Sequence, residues 1–138
     1  MNGLRLLVDT TFVQALLNRT DQYHARARQF APRLREATEV WLTEAVLIEV
    51  GNALSSLNRS AAVRFIEQAY RTSNMRIVPV DSALLDRALH LYRDRTDKTW
   101  GLTDCISFVV MSEHQLTDAV TADEHFRQAG FRALLLED

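Results

Sequence analysis

A parallel β-sheet between two layers of helices, an α/β three-layer sandwich, is the fold this sequence predicts. Three observations carry that expectation. Short apolar runs of strand length alternate along the chain with stretches whose apolar residues recur at helical spacing. Residues able to cap a helix stand at the junctions, as Asp9, Thr43, Asp81 and Asp123 do. With 138 residues and 47% apolar side chains, the chain is the size of one ordinary domain, so residues 1–138 are expected to form a single domain with its own core.

Leu4 to Val8 is the first strand, ended by Asp9-Thr10-Thr11, and Phe12, Val13, Leu16 and Leu17 then mark a helix. A second helix is expected from about Gln22 to Arg35, with Tyr23, Ala27, Phe30 and Leu34 on one face and Pro32 kinking or interrupting it. Val40 to Leu42 is the second strand, and Thr43 can cap a helix through Leu57. Ser60 to Thr72 follows as a helix with Val63, Ile66, Ala69 and Tyr70 facing inward. Ile77 to Val80 is the third strand, and Asp81 or Ser82 caps a helix carrying Leu84, Leu85, Ala88, Leu89 and Tyr92. After a polar connection, Thr96 to Gly101, comes a helix whose body, Cys105 to Met111, is apolar nearly all round and therefore buried on most sides. Ala119 to Thr121, a short helix from Asp123 to Ala129 stopped by Gly130, and a last strand from Ala133 to Leu136 complete the series. Such alternation implies a parallel sheet, whose ligands sit beyond the carboxyl ends of the strands. Asp9 and Asp123 both fall at that edge.

Composition narrows the function. The formal net charge of -2 argues against a protein that coats nucleic acid by bulk electrostatics, so any RNA contact would have to be local. Lys98 is the only lysine, which leaves arginine as the phosphate-contacting cation. Cys105 is the only cysteine, so neither an internal disulfide nor a cysteine zinc site can form, and any metal must be held by oxygen. No signal-peptide pattern and no run of the ~20 apolar residues that cross a bilayer is present, and a cytoplasmic protein without a membrane partner is expected.

Four carboxylates stand in or beside apolar segments. Asp9 ends LRLLVD, Glu49 lies within VLIEV, Asp104 opens the most apolar helix, and Asp123 follows a strand in VTADEHF. Each has an ordinary explanation. Asp9 and Asp123 can be helix N-caps, Asp104 can complement a helix dipole, and Glu49 can reach water from the rim of an apolar stripe. Glu49 shares its stripe with Ala45, Asn52, Ala53 and Ser56, all small or polar, as a pocket wall requires. Taken together, acids at two strand ends, a helix start and a helix face can converge on one cleft. Converged carboxylates raise one another's pKa and protonate unless a cation lies among them. An oxygen donor set suits Mg²⁺ or Mn²⁺, and the chemistry natural to it is phosphodiester hydrolysis.

The strings LLVDTTF, TEAVLIEVGNAL, WGLTDCISFVVM and VTADEHF, in this order and across nearly the whole chain, resemble the PIN-domain family, and within it the VapC-type toxins of bacterial toxin-antitoxin pairs. The resemblance implies a PIN-like sheet between helices, an acidic pocket holding Mg²⁺ or Mn²⁺, and endonucleolytic cleavage of RNA. It implies Asp9, Glu49 and Asp104 as the core metal-binding and catalytic acids and Asp123 as a fourth. Thr10 and Thr103 resemble the hydroxyl residues beside the first and third acids, and Asp97 is a candidate for the rim. The partners it implies are a second copy of the chain, giving a homodimer, and a small antitoxin whose tail occludes the cleft. Leu47, Leu54, Val63 and Tyr70 can serve either an interface or the core.

Other acid-using folds fit less well. A haloacid-dehalogenase phosphatase needs a second aspartate where Thr11 stands, a response-regulator receiver needs paired acids after its first strand, and a chain with 4 glycines has no phosphate loop. A non-catalytic PIN-like module that binds RNA or protein is the alternative from a different class. The histidines, His24, His90, His114 and His125, read as surface or packing residues. Trp41 and Trp100 read as packing residues, Trp100 with the option of stacking a base.

Overall fold

The computed structural model describes residues 3–137; Met1, Asn2 and Asp138, which belong to the expected domain, lie outside them. The elements run β1 (Arg5–Val8), α1 (Thr10–Leu17), α2 (His24–Glu36), β2 (Glu39–Thr43), α3 (Glu44–Ala53), α4 (Arg59–Arg71), β3 (Met75–Val78), α5 (Ser82–Asp94), α6 (Leu102–Glu113), β4 (Asp118–Val120), α7 (Glu124–Gln128) and β5 (Arg132–Ala133), then a 3₁₀ turn at Leu134–Leu136. Among the described residues the sheet has five strands in the order β3-β2-β1-β4-β5, every pair parallel. β1 is central, and the order reverses at its two sides.

Alternation along the strands divides the core. Leu6, Val8, Val40, Leu42 and Val120 face one way and pack with residues of α1 to α4, including Phe12, Val13, Phe30, Leu34, Val46, Val50 and Ala69. Leu7, Ala119 and Ala133 face the other way and pack with Leu84, Ala88, Phe108, Met111 and Phe126 of α5 to α7. This is the three-layer α/β sandwich the sequence predicts. The body of α6 is buried as expected, with Cys105 to Phe108, Val110 and Met111 all inaccessible. Among the described residues, no helix is long and apolar enough to cross a membrane.

Several element boundaries differ from expectation, each for a local reason. α2 continues through Pro32, which sits on the exposed face where the carbonyl it leaves unpaired can be hydrated, while Phe30 and Leu34 anchor the helix to the core. α3 stops at Ala53 rather than Leu57, because Leu54 is drawn into the core and Asn58 caps the next helix by accepting the Ala61 N–H at 3.2 Å. β3 occupies 75–78 rather than 77–80, since Pro79 has no N–H to continue the ladder. The final strand is reduced to Arg132 and Ala133. There the Leu135 N–H turns back to the Thr121 carbonyl at 3.1 Å, and the side chain plugs the core. The inward face of α4 is Ala62, Phe65, Ile66 and Ala69, whereas Val63 and Tyr70 lie exposed. On α5, Leu84 and Ala88 turn inward while Leu85, Leu89 and Tyr92 remain on the surface.

Candidate metal centre

Asp9, the first residue after β1, holds its place through both backbone and side chain. Its N–H donates to the Val120 carbonyl of the neighbouring strand at 3.2 Å, which fixes it at the carboxyl edge beside β4. Its Oδ2 accepts the hydroxyl protons of Thr121 at 2.7 Å and Thr11 at 3.0 Å. The same two hydroxyls accept backbone protons from the β4–α7 segment, Thr121 that of Asp123 and Thr11 that of Ala122, each at 3.0 Å. A pair of threonines therefore ties the first acid to the loop carrying the last. Asp9 is 3% exposed, and burial, reinforced by the nearby Asp104 charge, pushes its pKa up to about 6 against the pull of the Thr121 and Thr11 hydrogen bonds.

Asp104 lies in the first turn of α6, where its Oδ2 accepts the Gly101 N–H at 3.1 Å and thereby caps the helix. The same oxygen lies 2.9 Å from His125 Nδ1. Burial raises the Asp104 pKa, and the charge of Asp123 adds to the rise while His125 opposes it. Asp123 caps α7 by accepting the His125 N–H at 2.9 Å on Oδ1. Glu49, on α3, is joined to the site by the Thr10 hydroxyl, which donates to its Oε1 at 2.8 Å. It is exposed rather than buried. The apolar neighbours in VLIEV divide between core-facing Val46, Leu47 and Val50 and an exposed Ile48, so the premise of a buried glutamate does not hold.

These side chains border one cleft of about 300 Å³, lined by Asp9, Thr10, Glu49, Thr103, Asp104 and Asp123 together with Thr11, Gln14, Gly101 and Leu102. Asp97 is not in that lining. Its carboxylate is taken bidentately by Arg95 at 3.0 and 3.1 Å, which holds its pKa below the usual range. Larger hollows lie elsewhere, one of about 480 Å³ bordered by Arg26, Arg33 and Arg132 and one of about 400 Å³ walled by Trp100, Phe108 and Phe131. Neither gathers carboxylates as the smaller cleft does. Trp100 is spent in packing, with Phe108 edge-on at 5.0 Å and its Nε1–H donated to Gln128, and offers no free face to a base.

The helix-capping reading and the cleft reading of these acids hold together, because each carboxylate uses one oxygen. Asp9 Oδ2, Asp104 Oδ2, Asp123 Oδ1 and Glu49 Oε1 accept the hydrogen bonds just described. None of these bonds falls on Asp104 Oδ1, Asp123 Oδ2 or Glu49 Oε2, and Asp9, whose carboxylate also feels the Thr10 backbone N–H, keeps Oδ1 clear of both threonine hydroxyls. A set of such oxygens around one cleft, on buried Asp9, part-buried Asp104 and Asp123, which repel along that series, and exposed Glu49, fits a hard divalent cation. His125 is the residue sequence reasoning missed. One ligand atom each from Asp104, Asp123 and His125 lie within 4.8 Å of one another, a grouping able to hold a metal ion.

The chain matches the PIN domain over residues 6–132. Among solved structures it is similar to VapC20 of Mycobacterium tuberculosis, described as a Sarcin-Ricin loop cleaving toxin, with a TM-score of 0.82 and 25% identity over 91% of this chain and 95% of that one. FitAcB from Neisseria gonorrhoeae shares the fold with a TM-score of 0.60 at 20% identity, covering 93% of this chain and 94% of that one. No curated protein sequence matches. Because the matched span runs from within β1 to the start of β5 and takes in every acid of the cleft, the chain belongs to the PIN-domain family.

Proposed function

We propose that this protein is a divalent-cation-dependent endoribonuclease and the toxin of a type II toxin-antitoxin pair. The observation that carries the reading is the ring of carboxylate oxygens, Asp9 Oδ1, Asp104 Oδ1, Asp123 Oδ2 and Glu49 Oε2, around one open cleft. Bound there, Mg²⁺ or Mn²⁺ supplies Lewis acidity toward a phosphoryl oxygen and toward water. Asp9 and Asp104, the more buried acids, serve as the fixed ligands, because Thr11, Thr121 and Gly101 hold their second oxygens in place. Glu49 and Asp123, more open to solvent, complete the set, and either can accept the proton of the attacking water. The likeness to VapC20 at 25% identity supports RNA as the substrate class.

In this reading the whole chain is one nuclease domain, resident in the cytoplasm, that works with a second copy of itself and with a small antitoxin. Apolar side chains left on the surface, Leu85, Leu89 and Tyr92 of α5 and Ile48, Val63 and Tyr70 of α3 and α4, support such association. The test is incubation of purified protein with end-labelled RNA in Mn²⁺, in Mg²⁺ or in chelator, beside Asp9→Asn and Asp104→Asn. Cleavage that needs the cation and falls at least a hundredfold in both variants is the expected result. Cleavage indifferent to chelator, or retained by both variants, refutes the assignment.

A further inference from the structure

His125, on α7, lies beside two acids of the cleft, Asp104 and Asp123, and is held at three points. Its backbone N–H is fixed by Asp123 Oδ1 at 2.9 Å, its Nδ1 lies 2.9 Å from Asp104 Oδ2, and its Nε2 lies 3.3 Å from the Thr99 hydroxyl. One neutral tautomer satisfies every contact: Nδ1–H donates to Asp104, and Nε2 accepts from Thr99. Asp104 Oδ2 then receives two donors, Gly101 N–H from the start of α6 and His125 Nδ1–H from α7. The carboxylate cannot rotate without breaking both, so Oδ1 remains the oxygen turned to solvent and cation. The alternative use of the ring, as a nitrogen ligand to the cation, would remove the Nδ1–H that Asp104 Oδ2 accepts, and nitrogen coupling on a bound cation separates the two arrangements.

The geometry points to His125 as a positioning residue that orients Asp104 for the divalent cation through an Nδ1–H donor, without itself coordinating. The inference rests on the cleft being a cation site, as proposed above, and adds an outer-sphere residue drawn from a different helix. Such residues govern metal affinity, with losses of about 10- to 100-fold when they are removed. Because the required group is a donor one bond beyond Cγ, the amide of asparagine can replace it. Glutamine carries its amide one bond further out and cannot.

The experiment is Mn²⁺ titration of the full chain followed by electron paramagnetic resonance, for the native protein, His125→Ala, His125→Asn and His125→Gln, with thermal unfolding of each metal-free protein alongside. The expected result is Mn²⁺ binding weakened at least tenfold in His125→Ala and His125→Gln, within about threefold of native in His125→Asn, and no directly bonded ¹⁴N coupling on Mn²⁺ in the native protein. If His125→Ala fails to fold, the Asn and Gln pair decides the matter. Native affinity in His125→Ala or His125→Gln, Asn as weak as Gln, or a directly bonded nitrogen overturns the positioning role while leaving the cation site intact. A native protein that binds no Mn²⁺ overturns both.

Discussion

At the scale of single residues, Asp9 shows what a site of this kind costs. Its pKa of about 6, against an ordinary 3.8, means that the folded chain holds the proton more tightly than the unfolded one. Its contribution to stability is therefore greatest below the unfolded value and is lost as pH rises from 3.8 toward 6, a difference on the order of 3 kcal/mol. Denaturation of the metal-free protein between about pH 4 and about pH 8 should show wild type losing ground to Asp9→Asn by roughly that amount. Parallel curves would contradict it. Saturating Mn²⁺ should recover most of that loss at neutral pH, adding about 2.7 kcal/mol to wild type at a hundredfold excess over Kd and little to the variant. Thr121 is fully buried, donates to Asp9 and accepts from the Asp123 N–H. Thr121→Val should lower stability by about 1 to 3 kcal/mol in a urea titration, because an N–H loses its acceptor. Of these residues the acids were legible, since Asp9 and Asp104 break apolar strings. His125 was not, because a lone histidine carries no pattern. Its meaning arises from meeting Asp104 across a separation of 21 residues. The nearest available signal was its place two residues after Asp123, on the first turn of a helix that Asp123 caps.

At the scale of elements, the strand-helix alternation could be read directly, because each junction carries its own capping residue, confirmed for Asp9, Thr43, Asp81 and Asp123. What could not be read is where packing overrides local pattern. The faces of α4 and α5 carry more apolar residues than the core accepts, so periodicity alone could not say that Ala62 goes in and Val63 stays out. Nor could it say that Leu135 would leave strand geometry to fill the core. Pro32 offers a measurement at this scale. An interior proline costs a helix about 3 kcal/mol and returns up to about 1 kcal/mol by stiffening the denatured chain. Pro32→Ala, exposed and remote from the cleft, should thus raise stability by about 2 kcal/mol and leave Mn²⁺ binding at the proposed site unchanged. A loss of stability would show that the proline is serving the native backbone.

At the scale of the whole molecule, four chain segments far apart in sequence meet because β1 sits between β2 and β4 with all strands pointing the same way. The cleft opens where the strand order turns, as open parallel sheets require. The proposed self-association belongs to this scale too. Paired Leu85→Asp and Leu89→Asp substitutions, on surface positions of α5, should leave the far-ultraviolet spectrum intact and move the particle from dimer to monomer in light scattering. A dimer that survives them would move the contact to another face. The position of β1 has one more outcome. On one flank it bonds a strand that follows within about thirty residues, but on the other it bonds Ala119 and Val120, far along the chain. During folding β1 stays half paired until a strand more than a hundred residues further along the chain has docked beside it. A chain in which β4 has not yet docked therefore lacks both the second neighbour of β1 and the loop that brings Asp123 to the cleft.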